Sequence, residues 1–349
     1  RRVLFRSQPS LFHGPGPFDV QTGVAKSWSE PLFTQAFSTS MLLLAEEDPK
    51  LVAVTAAMPD GTGLAPFAKV HPRRFFDVAI AEQHAITFAA GLATQGLHPV
   101  VAIYSTFLQR GFDQIITDIA MQQLPVILML DRAGLVGEDG ETHHGVFDLT
   151  YLRLIPNLTI LAATQPEDIL PLMKYAFSLH APVAIRYPKT LYHPECKELI
   201  RNTSHQVSEP QVVFPSRTHM VLATGPVGLS AYKALERLRN EDGLDVGLIQ
   251  IRQVKPLHED LLLPLLEQTH SILTIEENTL LGGFGSTISQ FLQTKNYQGL
   301  IRSLGIPDHF IPQGKVTQLL QQLELDSDHL YSIMKEYFSH QPILKTGGR

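Results

Sequence analysis

The stretch FFDVAIAEQHAITFAAGLA, residues 75–93, decides how this chain folds around its chemistry. The run Phe75–Ile80 has the apolar composition of a short strand, and the segment Ala81–Ala93 continues as a helix of small apolar residues. Glu82 is the carboxylate at the start of that helix. Because a carboxylate needs water or a partner, Glu82 is either solvated at a helix N-terminus, which favours acids, or placed to hold a specific group.

Similar apolar runs recur on both sides of this stretch and predict further strands. They are LVAVTAA (51–57), PVVAIYS (99–105), PVILMLD (125–131), LTILAA (158–163) and APVAIRY (181–187). Continuous apolar runs rich in β-branched residues suit strands buried on both faces of a parallel sheet. Helical segments lie between most of them, and a helix is predicted over residues 28–47. The pattern predicts a doubly wound α/β domain with a parallel sheet.

A second, smaller α/β unit is predicted to follow a linker. Residues 187–215 hold several prolines and polar residues, and alternation resumes at HMVLATG (219–225). We place the two domains at residues 27–200 and 216–345. Residues 1–26 are interpreted as an artefactual lead, residues 1–7, joined to a connector rich in Gly and Pro.

The composition excludes several classes of function. The chain has 349 residues, enough for two domains, and a net charge of −6 with interspersed signs, so no nucleic-acid surface is predicted. No apolar run approaches the roughly 20 residues that a membrane-spanning helix needs. The single cysteine, Cys196, excludes an internal disulfide and fits a reducing compartment.

Three polar residues stand at the carboxyl ends of predicted strands. Tyr104 ends one strand, Arg132 follows another and Arg186 lies at the end of a third. Ligands of open parallel sheets bind beyond those ends. A loop arginine is usually solvated or paired with an acid, but two guanidinium groups on one rim can also fork onto a shared phosphate.

The loop GEDGETHHG (137–145) is the second polar cluster. Gly137 and Gly140 permit tight turns, while Asp139, His143 and His144 supply an acid and two imidazoles. Adjacent histidines rarely face one metal ion, so proton transfer or hydrogen bonding to a polar substrate is the preferred interpretation. No metal ligand is assigned on this chain.

Three sequence blocks together carry a family resemblance. The blocks AEQHAITFAAGLA, YSTFLQRGFDQ (104–114) and DRAGLVGEDGETHHGVFD (131–148) resemble the pyrimidine-binding domain of transketolase-like thiamine diphosphate enzymes. Within that group the resemblance is closest to the 1-deoxy-D-xylulose-5-phosphate synthase family. It implies a transketolase C-terminal domain after residue 216, a homodimer and a cytoplasmic location in bacteria, or a plastid location in a plant or alga.

The resemblance implies a carboligase reaction and assigns residues to it. Pyruvate would lose carbon dioxide and its remaining two carbons would join D-glyceraldehyde 3-phosphate, the first step of the non-mevalonate isoprenoid pathway. Thiamine diphosphate would be held by Glu82 at its aminopyrimidine, by the stacking ring of Phe107, and by Tyr104 and Arg110 nearby. The implied substrate ligands are Arg132 and Arg186 for the phosphate, and Tyr104, Asp139 and His143 for the acceptor. His143 and His13 would share with Glu82 the catalytic roles.

The diphosphate motif of this enzyme group, GDG with a later asparagine, does not occur in the sequence. The resemblance places that motif and the Mg²⁺ ligands in an amino-terminal domain, so we expect the isolated chain to be inactive. Two alternatives stay open: the β subunit of a 2-oxo acid dehydrogenase, which lacks the motif, and a non-catalytic dimerisation module. The loop GGFG (282–285) after Glu276 and Glu277 is interpreted as a tight connection rather than an anion site.

Overall fold

Two largely parallel sheets organise the protein, of which the computed structural model describes residues 18–24, 33–189 and 207–339. The first sheet has seven strands in the order β10-β5-β6-β4-β3-β1-β2 and the second has five in the order β12-β11-β8-β9-β7. The strands are β1 (Leu51–Thr55), β2 (Phe75–Asp77), β3 (His98–Tyr104), β4 (Ile127–Asp131), β5 (Thr159–Ala162), β6 (Val183–Arg186), β7 (Gln211–Phe214), β8 (His219–Thr224), β9 (Val246–Ile251), β10 (Gln253–Lys255), β11 (Ser271–Thr279) and β12 (Leu300–Ile306).

Helices connect the strands and cover the sheets. They are α1 (Phe33–Glu47), α2 (Ala65–Val70), α3 (Glu82–Thr94), α4 (Ser105–Leu108), α5 (Phe112–Gln114), α6 (Asp148–Arg153), α7 (Ile169–Ser178), α8 (Val227–Glu241), α9 (Glu259–Leu266), α10 (Phe284–Thr294), α11 (Val316–Gln322) and α12 (Ser327–Ser339). A π-helical turn over Ile115–Ala120 follows α5. In the part of the chain that the structure describes, no helix is long and apolar enough to cross a membrane.

The inner strands of the first sheet are buried on both faces, as their continuous apolar runs predict, whereas the edge strand β2 is only partly buried. Every residue of β1, β4 and β6 is buried. Along β3, Val101 packs into the core layer that includes α3, whereas its neighbour Val100 packs into the layer formed with α1 and α7. Each fully buried aliphatic side chain contributes roughly 1.5–3 kcal/mol, so both faces stabilise the sheet.

The doubly wound α/β prediction is therefore confirmed, with one difference at the edge of the first sheet. Six strands are parallel, but β10 from the C-terminal part of the chain joins β5 in antiparallel orientation. Its three residues are too short to show a period, and they follow β9 after a single residue. The second sheet is likewise closed by an antiparallel strand, β7, which lies before residue 216.

One hydrophobic core runs through both units. Ala85 and Ala89 of α3 belong to the same buried cluster as Ile249 of β9 and as Phe284 and Ile288 of α10. The continuity means that the two sheets pack against each other through apolar side chains. It fixes the carboxyl ends of β3, β4 and β6 relative to the C-terminal unit.

Candidate active site

The three polar residues predicted at strand ends lie on one edge of the first sheet. Tyr104 is the last residue of β3, Arg132 follows the last residue of β4, and Arg186 ends β6. These strands are direct neighbours, since β4 pairs with β3 on one side and with β6 on the other. Parallel strands end at the same edge of a sheet, so the placement inferred from the sequence is confirmed.

Glu82 is the first residue of α3 and its side chain is almost completely buried. Its Oε1 accepts a hydrogen bond from Nη1 of Arg110 at 2.7 Å, while half of the Arg110 side chain stays exposed. The helix N-terminus and the guanidinium both stabilise the carboxylate charge at this position. The arrangement presents a carboxylate that can accept a hydrogen bond from a ring N–H of a ligand.

Aromatic rings connect this carboxylate with the strand ends. The rings of Tyr104 and Phe107 stack with centroids 5.6 Å apart, and His143 meets the Phe107 ring edge-on at 5.4 Å. The guanidinium carbon of Arg110 lies 5.3 Å from the Phe107 centroid, and that of Arg132 lies 3.9 Å from the Tyr104 centroid. The fold thus brings together residues from α3, α4, two strand ends and the 137–145 loop.

Arg132 is held in a strained conformation by several contacts. Its φ of 60° lies in the left-handed region, which is uncommon for residues other than glycine. Nη1 contacts Oδ2 of Asp131 at 2.9 Å and donates to the carbonyl oxygen of Gly61 at 2.7 Å. Asp131 in turn accepts a hydrogen bond from Thr34 at 2.8 Å. Burial of Asp131 raises the pKa of its carboxyl, and the guanidinium of Arg132 opposes that rise.

Tyr104 is buried between these groups and keeps its proton. Burial raises the pKa of its phenol to about 12, with the positive charge of Arg132 acting in the opposite direction. Asp131 and Asp139 both lie near enough for their negative charges to add to the rise. At neutral pH the Tyr104 hydroxyl is therefore a hydrogen-bond donor or acceptor and not a base.

Arg186 lies on the predicted edge, but its guanidinium is engaged in the protein interior. Only 4 % of the residue is exposed. Its Nε donates to Oδ1 of Asp148 at 3.0 Å, and Nη2 donates to the main-chain oxygen of Glu277 in β11 at 3.3 Å. The structure thus gives Arg186 a contact between the two units, which the sequence did not predict.

Asp148 is the central residue that the sequence did not reveal. It is 1 % exposed and accepts hydrogen bonds from Arg186, from the Ser105 hydroxyl at 3.0 Å and from the Leu149 amide at 2.7 Å. Asn278 of β11 also accepts from the Leu149 amide, at 3.2 Å. An acid at a helix start gave no signal, since acids are common there.

The 137–145 loop turns its two histidines in different directions. His143 faces Phe107, and its Nδ1 lies 2.9 Å from the Thr142 hydroxyl. His144 is buried, its Nδ1 accepts from the Val136 amide at 3.0 Å, and burial lowers its pKa. Gly137 and Gly140 adopt φ values of 96° and 73°, as the tight turns require. Within the described ranges no group of three potential metal ligands occurs.

The loop after β11 is a tight connection closed by the chain's own carboxylate. Oε2 and Oε1 of Glu276 accept the amide hydrogens of Phe284 and Gly285, each at 2.7 Å, at the N-terminus of α10. Arg153 of α6 donates to the carbonyl oxygens of Gly282 and Gly283. Burial raises the pKa of Glu276 to about 7. Because Glu276 already occupies the helix N-terminus, the loop does not present an open anion site.

Thiamine diphosphate fits one end of this site. An aminopyrimidine can be bound by a buried carboxyl group and an aromatic ring that stacks on it. Glu82 and Phe107 supply these two groups, and Arg110 contacts both of them. No diphosphate or Mg²⁺ ligand is assigned in the described ranges. His13, predicted to reach the site, lies outside the described residues.

Comparisons with known proteins identify the family of both units. Residues 29–194 match the family model of the transketolase pyrimidine-binding domain, and residues 212–330 match that of the transketolase C-terminal domain. The 1-deoxy-D-xylulose-5-phosphate synthase of Syntrophomonas wolfei is 44% identical over 345 residues, covering 98% of this chain and 53% of the relative. Synthase 1 of Geobacter sulfurreducens is 45% identical over 336 residues, covering 93% and 51%. The chain spans about half the length of these relatives.

Solved structures show the same fold at lower identity. A split-gene transketolase, described as an inactive β4 tetramer, has a TM-score of 0.77 at 23% identity over 89% of this chain and 99% of that one. A transketolase mutant from Pichia stipitis has a TM-score of 0.71 at 15% identity over 88% and 46%. The chain therefore belongs to the transketolase-like family and carries the pyrimidine-binding and C-terminal domains of its 1-deoxy-D-xylulose-5-phosphate synthase branch.

Proposed function

We propose that this chain forms the pyrimidine-binding and acceptor-binding half of a 1-deoxy-D-xylulose-5-phosphate synthase active site. In this reaction pyruvate loses carbon dioxide and its two remaining carbons join the aldehyde of D-glyceraldehyde 3-phosphate. The observation that carries the proposal is the buried carboxylate of Glu82 at the start of α3, beside Phe107 and Arg110. In the family, a glutamate at this place contacts the cofactor.

Glu82 and Phe107 are assigned to the cofactor. Thiamine diphosphate, when bound, supplies the nucleophilic carbon that adds to the pyruvate carbonyl. Glu82 would hydrogen-bond the ring nitrogen of the aminopyrimidine and so favour its imino form, in which that nitrogen carries a hydrogen, and Arg110 would hold the carboxylate in orientation. The Phe107 ring would stack against the pyrimidine and exclude water from it. Mg²⁺ and the diphosphate would be held by residues beyond those described.

Arg132, Tyr104, Asp139 and His143 are assigned to the acceptor aldehyde. Arg132 carries a fixed positive charge over the Tyr104 ring, so it can hold the phosphate in one orientation. The neutral Tyr104 hydroxyl can donate to an acceptor oxygen. His143 is partly exposed and meets the Phe107 ring edge-on, so we assign to it the transfer of a proton to or from the product oxygen. His13 is proposed as a second proton carrier.

Arg186 keeps a phosphate-binding role only as a prediction. Nε and Nη2 are used by Asp148 and by the main chain of β11, so a phosphate would have to be met by the remaining guanidinium nitrogen. The buried pair also means that Arg186 shapes the site whether or not it touches substrate. The roles of Arg132 and Arg186 are thus separable by experiment.

The wider setting follows the relatives. We propose a homodimer in the bacterial cytoplasm that carries out the first step of non-mevalonate isoprenoid synthesis. A two-domain β subunit of a 2-oxo acid dehydrogenase would share the contact of Glu82 with the cofactor. It binds no phosphorylated aldehyde, so it would not need the guanidinium of Arg132 over the Tyr104 ring. Formation of the five-carbon phosphate separates the two activities.

The test uses the complete reading frame that contains this chain, with pyruvate and D-glyceraldehyde 3-phosphate as substrates. We expect 1-deoxy-D-xylulose 5-phosphate, and we expect Glu82→Gln to abolish hydrogen–deuterium exchange at the thiazolium carbon, followed by NMR. Glu138→Gln, an exposed acid of the 137–145 loop, is the matched control and should retain exchange. Exchange retained in Glu82→Gln would refute the assignment of Glu82 to the cofactor. Acyl transfer without formation of 1-deoxy-D-xylulose 5-phosphate would favour the β subunit of a 2-oxo acid dehydrogenase. A scaffold module would show neither activity.

A further inference from the structure

Gly61 lies in the loop between β1 and α2 and contacts Tyr104 and Arg132, two of the residues assigned to the acceptor. A Cβ placed on Gly61 would lie 2.1 Å from the Tyr104 hydroxyl oxygen and 3.0 Å from the Tyr104 Cζ, and 2.9 Å from Cε at the flexible end of Met58. The carbonyl oxygen of the same residue accepts the hydrogen bond of Arg132 Nη1 at 2.7 Å. One residue therefore limits how close the Tyr104 ring lies and sets where the Arg132 guanidinium points.

The loop that carries Gly61 is held by hydrogen bonds of its own and packs against α1. The Thr62 amide and hydroxyl both donate to the carbonyl oxygen of Met58, at 2.9 and 2.8 Å, and the Gly63 amide donates to Asp60 at 3.1 Å. Gly63 has a φ of 80°, and a Cβ there would lie 2.8 Å from the carbonyl oxygen of Thr34. The turn is therefore rigid around Gly61, and the close approach of Gly63 to Thr34 opposes its movement towards α1.

Tyr104 and Arg132 cannot move away freely either. Tyr104 is 7 % exposed and stacks on Phe107. Arg132 is held over the Tyr104 ring by its ion pair with Asp131, whose carboxylate is fully buried. Gly61 itself is not among the residues with positive φ, so its backbone would accept alanine. The absence of a side chain is needed for the contact with Tyr104 and not for the turn.

We propose that Gly61 is a positioning residue for the acceptor end of the site: it lets the Tyr104 hydroxyl lie against its Cα and aims Arg132 through its carbonyl oxygen. This inference rests on the proposed function, because the acceptor phosphate is what Arg132 would hold. Any residue larger than glycine at this position displaces the pair. Phosphorylated acceptors should lose affinity while pyruvate, which lacks the phosphate, is little affected.

The kinetic test compares Gly61→Ala with the parent in the complete enzyme. We expect the KM for D-glyceraldehyde 3-phosphate to rise at least tenfold and the KM for pyruvate to change less than threefold. Gly91→Ala in α3 is the matched control, because a Cβ there meets nothing within 4 Å. Equal changes for both substrates, or none, would overturn the inference. Product formation by the parent enzyme tests the proposed function separately.

Two further measurements keep the inference testable if Gly61→Ala destabilises the enzyme. Tyr104→Phe removes the closest contact of the new methyl group, 2.1 Å to the phenol oxygen, and leaves contacts of 2.9 and 3.0 Å. Gly61→Ala should therefore cost less than threefold in KM when added to Tyr104→Phe. A full tenfold cost in that background would overturn the steric explanation. The second measurement is NMR of the chain itself, labelled at the tyrosine Cζ with ¹³C. Gly61→Ala should shift the Tyr104 resonance, which is identified among those of the nine tyrosines by its loss in Tyr104→Phe. An unmoved resonance would also overturn it.

Discussion

Removing the carboxylate of Asp148 should strongly destabilise this protein. Asp148→Ala leaves the Arg186 guanidinium buried, at 4 % exposure, without a counter-charge. At the observed separation of 3.0 Å the Coulomb attraction is about 5 kcal/mol for an effective dielectric constant near 20. Breaking one partner of a buried pair typically costs about 3–5 kcal/mol, to which the lost Ser105 hydrogen bond adds about 1 kcal/mol.

Thermal denaturation of the chain, followed by circular dichroism, measures this cost. We expect the Tm of Asp148→Ala to fall by roughly 8–24 °C, since the combined cost is about 4–6 kcal/mol and a domain of this size loses about 2–4 °C per kcal/mol. The matched control is Glu47→Gln, which breaks the exposed pair of Glu47 with Lys174 and should cost less than about 1 kcal/mol.

A double variant distinguishes a buried charge from a simple loss of packing. Asp148→Leu combined with Arg186→Met removes both charges, so it should recover much of the lost stability. The reasoning is refuted if Asp148→Ala costs no more than Glu47→Gln. It is also refuted if the double variant is less stable than Asp148→Ala.

Two further outcomes follow from the site and from α10. Arg132→Ala should raise the KM for D-glyceraldehyde 3-phosphate about 10- to 150-fold, because a lost charge-assisted hydrogen bond costs about 1.5–3 kcal/mol. An equal rise in the KM for pyruvate would show that Arg132 has a structural role instead. Burial raises the pKa of Glu276 from 4.5 to about 7, so the folded protein holds this proton more tightly than the unfolded chain. Stability should therefore fall by about 3 kcal/mol as the pH rises from 4.5 to 7. Glu276→Gln should flatten that part of a urea-denaturation profile, and an unchanged slope contradicts the assignment.

The residues at the strand ends could be found from the sequence because their signal is local. A strand buried on both faces must be apolar throughout, so the first polar residue after the run marks the end of the strand. Tyr104 and Arg186 are found in this way, Arg132 directly follows the first polar residue of its run, and the parallel topology places all three on one edge. The family resemblance added Glu82 and Phe107, whose types alone allow a helix cap and a core aromatic.

The partners of those residues could not be found in the same way. Asp148 meets Arg186 across 38 positions of sequence, and Arg132 meets Gly61 across 71. Neither Asp148 nor Gly61 has an unusual local pattern, since an acid at a helix start and a glycine in a loop are both common. Their importance arises only when the sheet edge brings them beside the guanidinium groups.

The sequence by itself therefore determined the α/β architecture, the polar residues at the strand ends and the family. Burial of a strand on two faces and short motifs can both be recognised from neighbouring residues. Tertiary structure alone decided that Arg186 pairs with Asp148, that Glu276 closes the N-terminus of α10, and that β10 completes the first sheet. The first two contacts lie within one unit each, whereas the pairing of β10 with β5 joins the two units. Their strength comes from exclusion of water, which exists only once the two sheets have packed together.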